Sequence, residues 1–212
     1  MSNRRHMPAL LLAATALSAA ALCGAGCART RMSQFYLMDA RTREPGAVAP
    51  EAGTLYIYPP KLPEYLRRNE IVVRAPDGRV RPADFHRWAE PLGQGVARVL
   101  AAELSRLLPS RWVVAHPVRK APGPVTNLAL TVTRFDGRRG GSVVLSAQWN
   151  LSSEKDGEYV LRHSRIEVPV QGGDYAALVE AHQQALYGLA AEIAEAVDQI
   201  SGIGSAAAQS SE

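Results

Sequence analysis

The 212-residue chain carries 24 Lys and Arg against 20 Asp and Glu, with five His and two Cys. A formal charge of +4 provides no basic field of the size that nucleic acid needs. Both cysteines lie near the start, at 23 and 27, so a disulfide framework and a cysteine-based metal site are excluded for the rest of the chain.

The first segment runs from Arg4 and Arg5 through an apolar stretch, Ala9 to Leu22, to the small residues Gly24-Ala25-Gly26. A charged start, an apolar middle and a small-residue end is the order of a secretory signal. Cys27 follows at once. The whole is similar to a bacterial lipoprotein signal, cut before Cys27, whose thiol then carries acyl chains such as palmitate. The apolar stretch is short for a membrane-spanning helix, which needs roughly 20 residues. An uncleaved anchor and an ordinary secreted protein are the competing readings. Gly24 stands where such signals usually have Leu, and Cys23 is a rival site that bulky Leu22 disfavours. Residues 1–26 are read as a signal peptide and 27–33 as a lipidated tether.

Removing the signal takes away two arginines and no acid, leaving 22 basic against 20 acidic residues. About 185 residues remain, enough for one domain with a sizeable core. The tether reaches at most roughly 25–30 Å, so the domain is expected close to the membrane. Arg29, Arg31, Arg41 and Arg43 near it either meet anionic headgroups or form a solvated basic segment.

Phe35-Tyr36-Leu37-Met38 is the first strand candidate. Arg41 to Gly53 holds Pro45, Gly46 and Pro50 without periodicity and reads as a loop. Thr54 to Tyr58 is β-branched and aromatic, a strand that Pro59, Pro60 and Pro63 end. Ile71 to Arg74 is a short strand, Pro76-Asp77-Gly78 a turn, and Arg79 to Arg81 its return. Leucines and valines from Leu92 to Leu108 form a one-sided stripe, so a helix is expected over about Ala89–Leu108 with Pro91 in its first turn. Arg111 to Ala115 follows as a strand.

Asn127 to Phe135 and Ser142 to Leu151 alternate apolar and polar residues, and Tyr159 to Val168 is more mixed. With Asp136-Gly137 and Asp156-Gly157 as links, they predict an antiparallel meander with one buried face. A second helix is expected over about Asp174–Ile200, with Asp174 as N-cap. Residues 202–212 read as a disordered tail. Two long amphipathic helices and roughly seven strands give an α/β fold: a single domain, 34–201, whose helices pack on a mixed, mainly antiparallel sheet with one crossover.

Catalytic patterns are missing. There is no nucleophile elbow, zinc-protease helix, phosphate-binding glycine loop or C-x-x-C. His86, His116, His163 and His182 are scattered without ligand spacing, so neither a metal nor a cofactor is expected. Asp84 and His86 fall on an expected turn without a nucleophile. His182 lies in the apolar stripe of the second helix, either as a packed histidine or as a pH-sensitive contact. Trp88 and Trp149 are expected to bury large apolar area.

Several segments together resemble one family. They are Phe35-Tyr36-Leu37, Leu62-Pro63-Glu64-Tyr65-Leu66, Ile71-Val72-Val73-Arg74 and Arg87-Trp88-Ala89-Glu90-Pro91-Leu92. Val168-Pro169-Val170, Asp174-Tyr175 and Ala181-His182-Gln183-Gln184-Ala185-Leu186 complete the set. In that order they are similar to the ABC-type transport auxiliary lipoproteins.

The resemblance implies a non-enzymatic periplasmic component of a lipid-transport system. Its partners would be an inner-membrane transporter component and an MCE-domain protein that bridges the periplasm. Ala28 after the cysteine is similar to lipoproteins sent on to the outer membrane. Trp88, Glu90, Pro91 and His182 fall in the matching segments and are taken as partner or fold hallmarks. A homo-oligomer stays open, as do two other functions: a periplasmic ligand-binding lipoprotein, and an assembly lipoprotein for outer-membrane export.

Overall fold

The computed structural model describes residues 31–41, 53–115, 122–153, 157 and 159–209, with side chains up to 200 in the last helix. In chain order the elements are β1 (Gln34–Tyr36), β2 (Thr54–Ile57), β3 (Glu70–Arg74), β4 (Val80–Trp88) and helix α1 (Leu92–Leu107). After them come β5 (Trp112–Val114), β6 (Val125–Gly137), β7 (Ser142–Ser153), β8 (Tyr159–Pro169) and helix α2 (Tyr175–Gln209). A single 3-10 turn at Glu64–Leu66 precedes β3.

All eight of these strands belong to one sheet. The β6–β7–β8 meander is antiparallel along its whole length. Leu128, Leu130 and Val132 of β6 are buried with Val143, Leu145, Ala147, Trp149 and Leu151 of β7. Strict alternation would next bury Arg134. A bulge between Val132 and Arg134 shifts the pairing by one residue and buries Phe135 instead.

The free edge of β6 divides into two arms. Its first half pairs in parallel with β2, which in turn pairs with β5. Its last residue, Gly137, pairs with Val73 of β3, and β4 and β1 extend the sheet from there. Pro59, Pro60 and Pro63 lack the N–H groups that a continuous ladder needs, so pairing breaks between the arms. Lys61 bridges to β6 between them, donating its N–H to the Leu130 carbonyl and accepting from the Val132 N–H, both at 2.9 Å. At the start of β2, Gly53 has φ +92°, and a Cβ there would lie 2.2 Å from the Pro124 oxygen. Only glycine fits that crossing.

Both helices pack against the sheet and each other. α2 lies over β6, β7 and β8, while α1 contacts α2 and β5. Leu178, Leu186, Leu189 and Ile193 from α2, with Val96, Leu100 and Leu104 from α1, are fully buried in the shared core.

The α/β class, the mixed sheet and the two helices match the sequence-based expectation, and most paired residues are antiparallel. Several details differ. Four strand junctions are parallel (β1–β4, β2–β5, β2–β6 and β3–β6), where one crossover was expected. β4 continues to Trp88 rather than stopping near Arg81, so Asp84 and His86 lie on a strand and not on a turn. β1 ends at Tyr36, and Asp136 and Gly137 belong to β6 itself. α1 starts at Leu92 with Pro91 as its N-cap, because the residue before a proline is biased away from helical geometry. Asp174 does cap α2, its Oδ1 accepting the Ala177 N–H at 2.8 Å. That helix passes the expected end at Ile200 and runs to Gln209, into the segment read as a tail. Ala206-Ala207-Ala208 has the highest helix propensity available, which offsets the cost of Gly202 and Gly204.

Candidate functional site

The four expected hallmark residues fall into two places. Trp88, the last residue of β4, is buried, and its ring meets the edge of His182 with centroids 5.5 Å apart. Phe135 of β6 meets the other side of His182 at 4.7 Å. The imidazole is 1% exposed. Its Nδ1 lies 2.8 Å from the Leu178 carbonyl oxygen, which can only accept, so the proton sits on Nδ1. Burial lowers the imidazole pKa to about 4. His182 is therefore a neutral histidine wedged between aromatic rings, closed to solvent.

Close by, Asp136 is fully buried on β6. It accepts from Arg74 Nε at 2.6 Å and Nη2 at 2.7 Å, from the Tyr65 hydroxyl at 2.7 Å and from Arg134 at 3.2 Å. Burial alone would push its carboxyl up. The hydrogen bonds from Arg74 and Tyr65 and the charge of Arg134 outweigh that and hold it below the usual carboxylate range. Tyr65 is driven the other way, to about 12, by burial and by its bond to Asp136. This knot ties the 3-10 turn and β3 onto β6.

Glu90 and Pro91 sit elsewhere, at the entry to α1. The Glu90 carboxylate accepts from Arg98 at 2.6 Å, and Arg98 also donates to the Met38 carbonyl at 2.6 Å. Gln183 of α2 donates to the Asp39 carbonyl at 2.8 Å, and the Arg41 N–H to Glu103 at 2.6 Å. Arg41 also lies 4.0 Å over the Tyr187 ring. The segment after β1 is thus strapped across both helices.

Beside that strap lies a groove of about 1410 Å³. Pro59, Pro60, Leu62 and Leu66 form one wall, and Gly93, Ala97 and Ala101 of α1 the other. Small residues four apart flatten the helix face. Leu62 Cδ1 would stand 3.5 Å from a Cβ at Gly93. Val113 and Ala115, in and beside β5, close one end. Lys61, Arg67, Arg68 and Arg98 line it as cations, with Glu90 bound to Arg98. Apolar walls with a basic rim suit an amphipathic ligand or segment that carries negative charge.

Among the described residues no group of His, Cys, Asp and Glu could hold a metal. His86 shares a hydrogen bond with the Tyr36 hydroxyl at 2.9 Å and stacks on Tyr175. Among the described residues no helix is long and apolar enough to cross a membrane. Cys27 lies outside the described residues. The groove's basic rim was not read from the sequence. The run Pro59-Pro60-Lys61-Leu62-Pro63 carried the signal, since prolines make a stiff extended wall.

Residues 36–194 match the family model described as ABC-type transport auxiliary lipoprotein component. The intermembrane transport lipoprotein PqiC of Escherichia coli strain K12 is 33% identical over 158 residues, which is 73% of this chain and 81% of the relative. PqiC of Shigella flexneri matches with the same figures. Among solved structures, an uncharacterized protein shares 27% identity at a TM-score of 0.68, over 79% of this chain and 99% of its own. Protein XCC0632 of Xanthomonas campestris, 20% identical at a TM-score of 0.60 over 82% of this chain and 99% of its own, shares the fold. The auxiliary segments, the α/β sheet with its two helices and the match over 36–194 agree: this chain belongs to the ABC-type transport auxiliary lipoprotein family.

Proposed function

We propose that this transport-auxiliary lipoprotein is held by acyl chains on Cys27 at the periplasmic face of the outer membrane. There it serves an MCE-domain protein and an inner-membrane transporter component that move lipid between the two membranes. It contributes no catalysis of its own. The observation that carries this reading is the match over 36–194, together with one third identity to a relative named for intermembrane transport. Multiple acyl chains suit such a post, because one chain alone binds a membrane only marginally.

The test has three parts: membrane fractionation of the wild type and of Cys27→Ser, affinity capture of the MCE partner, and permeability of cells lacking the gene. The reading expects the wild type in the outer-membrane fraction, Cys27→Ser displaced from it, and leaky cells. A Cys27→Ser protein that stays in the outer membrane would sink the anchor. Capture of the wild type without any MCE-domain protein would sink the partnership.

The groove beside α1 supports a second reading, a ligand-binding lipoprotein. Its volume admits a ligand of lipid or drug size. Native mass spectrometry of gently purified protein separates the two, since a ligand-binding protein carries a defined added mass.

A further inference from the structure

Three links meet at one end of the sheet: the hairpin from β3 to β4, the hairpin from β6 to β7, and the passage from β8 into α2. Backbone hydrogen bonds lace the second link to the third, and the first closes on itself. Gly140 donates to the Gly172 carbonyl at 3.0 Å, Val170 to Gly141 at 2.8 Å and Ala75 to Arg79 at 2.8 Å. The depression between them, about 670 Å³, is lined by Arg74, Arg79, Arg81, Arg138 and Arg139, with Asp77 as its one lining carboxylate.

Partners account for only part of that charge. Arg79 pairs with Asp77, and Arg74 with the buried Asp136. Among the described residues, Arg81, Arg138 and Arg139 form no ion pair, and all three are exposed. Arg139 rests over the Tyr175 ring at 5.0 Å, which holds its guanidinium in place. Val80, 39% exposed, stands beside Arg81. Uncompensated guanidinium groups on neighbouring links recognise phosphate oxygens.

The chain's entry points to the same end. β1 pairs in parallel with β4, Gln34 opposite His86. The chain therefore joins the sheet from the side where β4 begins, the side of Val80 and Arg81. Arg81 is five residues before His86, about 17 Å along the strand. The seven residues from Cys27 to Gln34 span at most about 25 Å. A lipid anchor at Cys27 would keep this end within reach of the leaflet.

We infer that the arginine end, through Arg81, Arg138 and Arg139, docks on the phosphate headgroups of an anionic leaflet and so sets the orientation of the domain on its membrane. This rests on the membrane-anchored reading above. Each arginine contributes about fivefold to binding at a charged surface, an effect that salt screens.

Hydrogen exchange by mass spectrometry on the full chain, with vesicles of phosphatidylcholine alone or with added phosphatidylglycerol, tests it. The amides of 75–81 and 138–141 should exchange more slowly with the anionic vesicles only. High salt should abolish the difference, as should the triple change Arg81→Gln, Arg138→Gln and Arg139→Gln. Unaltered exchange in β6 and β7 shows that the variant is folded. Single Arg→Gln changes, each expected to weaken vesicle binding about fivefold, serve where the triple variant is not.

Equal exchange at these tips with both vesicle types overturns the inference. So does the same protection from inorganic phosphate alone, which would mark a site for a free anion. The anchor is judged separately, by flotation with neutral vesicles and its loss in Cys27→Ser. Tip protection without neutral flotation keeps this inference and removes the anchor. Flotation without tip protection does the reverse.

Discussion

Where β4, β6 and α2 meet, titratable groups sit in closed positions. His182 donates to a helix carbonyl between two aromatic rings, and Asp136 receives three side chains. Beside α1 the materials are reversed. Small and apolar side chains line an open groove, and the charges stand at its rim. A buried polar group must be partnered or it destabilises the fold, whereas apolar surface left open gains by being covered. The chain uses its buried polarity to hold elements together and leaves surface free for binding.

Removing Asp136 should break the closed region most severely. Asp136→Ala leaves Arg74, Arg134 and Tyr65 without their shared acceptor, and losing one member of such a buried set costs about 4 kcal/mol. Urea unfolding measures it. A loss under 1 kcal/mol would mean that the knot contributes little. The folded pKa of Asp136 lies below its unfolded value of about 4. Its contribution is therefore complete above that value and fades as pH falls through the folded one. Asp136→Asn should flatten the stability curve in that acid range alone.

His182 comes next. Its pKa falls from 6.5 to about 4 on folding, so the unfolded chain binds the extra proton between these values. Stability is then complete above pH 6.5 and declines toward pH 4 by about 3 kcal/mol in all. His182→Leu should remove this slope while leaving the groove untouched. A wild-type slope that survives the substitution would assign the titration to another group.

Gly53 tests the frame of the open region. It holds β2 against β6 and accepts the Trp112 N–H at 3.0 Å, which places β5 at the end of the groove. Gly53→Ala puts a Cβ on a backbone oxygen at a positive φ, a strain of about 2 kcal/mol. Thermal unfolding reads it. An unchanged melting temperature would mean that β2 can shift without loss.

The two regions were unequally legible in the sequence. The alternation in β6 and β7 and the stripes of α1 and α2 are local periods, and they gave the centre of the sheet and the helices nearly as observed. β4 escaped because only Ala83 and Trp88 are buried along it, so no alternation shows. Its pairing with β3 on one side and with β1, some fifty residues away, on the other makes it a strand. Asp136-Gly137 has the composition of a turn. Arg74 and Tyr65, 62 and 71 residues distant, reveal why that aspartate is buried. His182 stands in the apolar stripe of α2, Trp88 is a large apolar side chain, and both fall in the segments that carry the resemblance; the fold brings them into contact, whereas Glu90 and Pro91 belong to the groove. A concavity arises where non-local segments fail to meet, and no local period encodes that.

The smallest expected effect on stability is the sharpest test of the open region. Gly93 is on the first turn of α1, against Leu62 in the lining of the groove. A Cβ there makes ordinary contact at 3.5 Å, and because Gly93 lines the groove, a larger side chain is expected to take up groove space. Helix propensity favours leucine over glycine by up to about 1 kcal/mol, which offsets the apolar surface exposed. Gly93→Leu should therefore melt within a few degrees of the wild type while losing whatever occupies the groove, read as loss of added mass in native mass spectrometry or of partner capture. If occupancy survives with the groove filled, the binding surface lies elsewhere. If the variant unfolds, the groove wall is core after all, and the contrast with the region around His182 disappears.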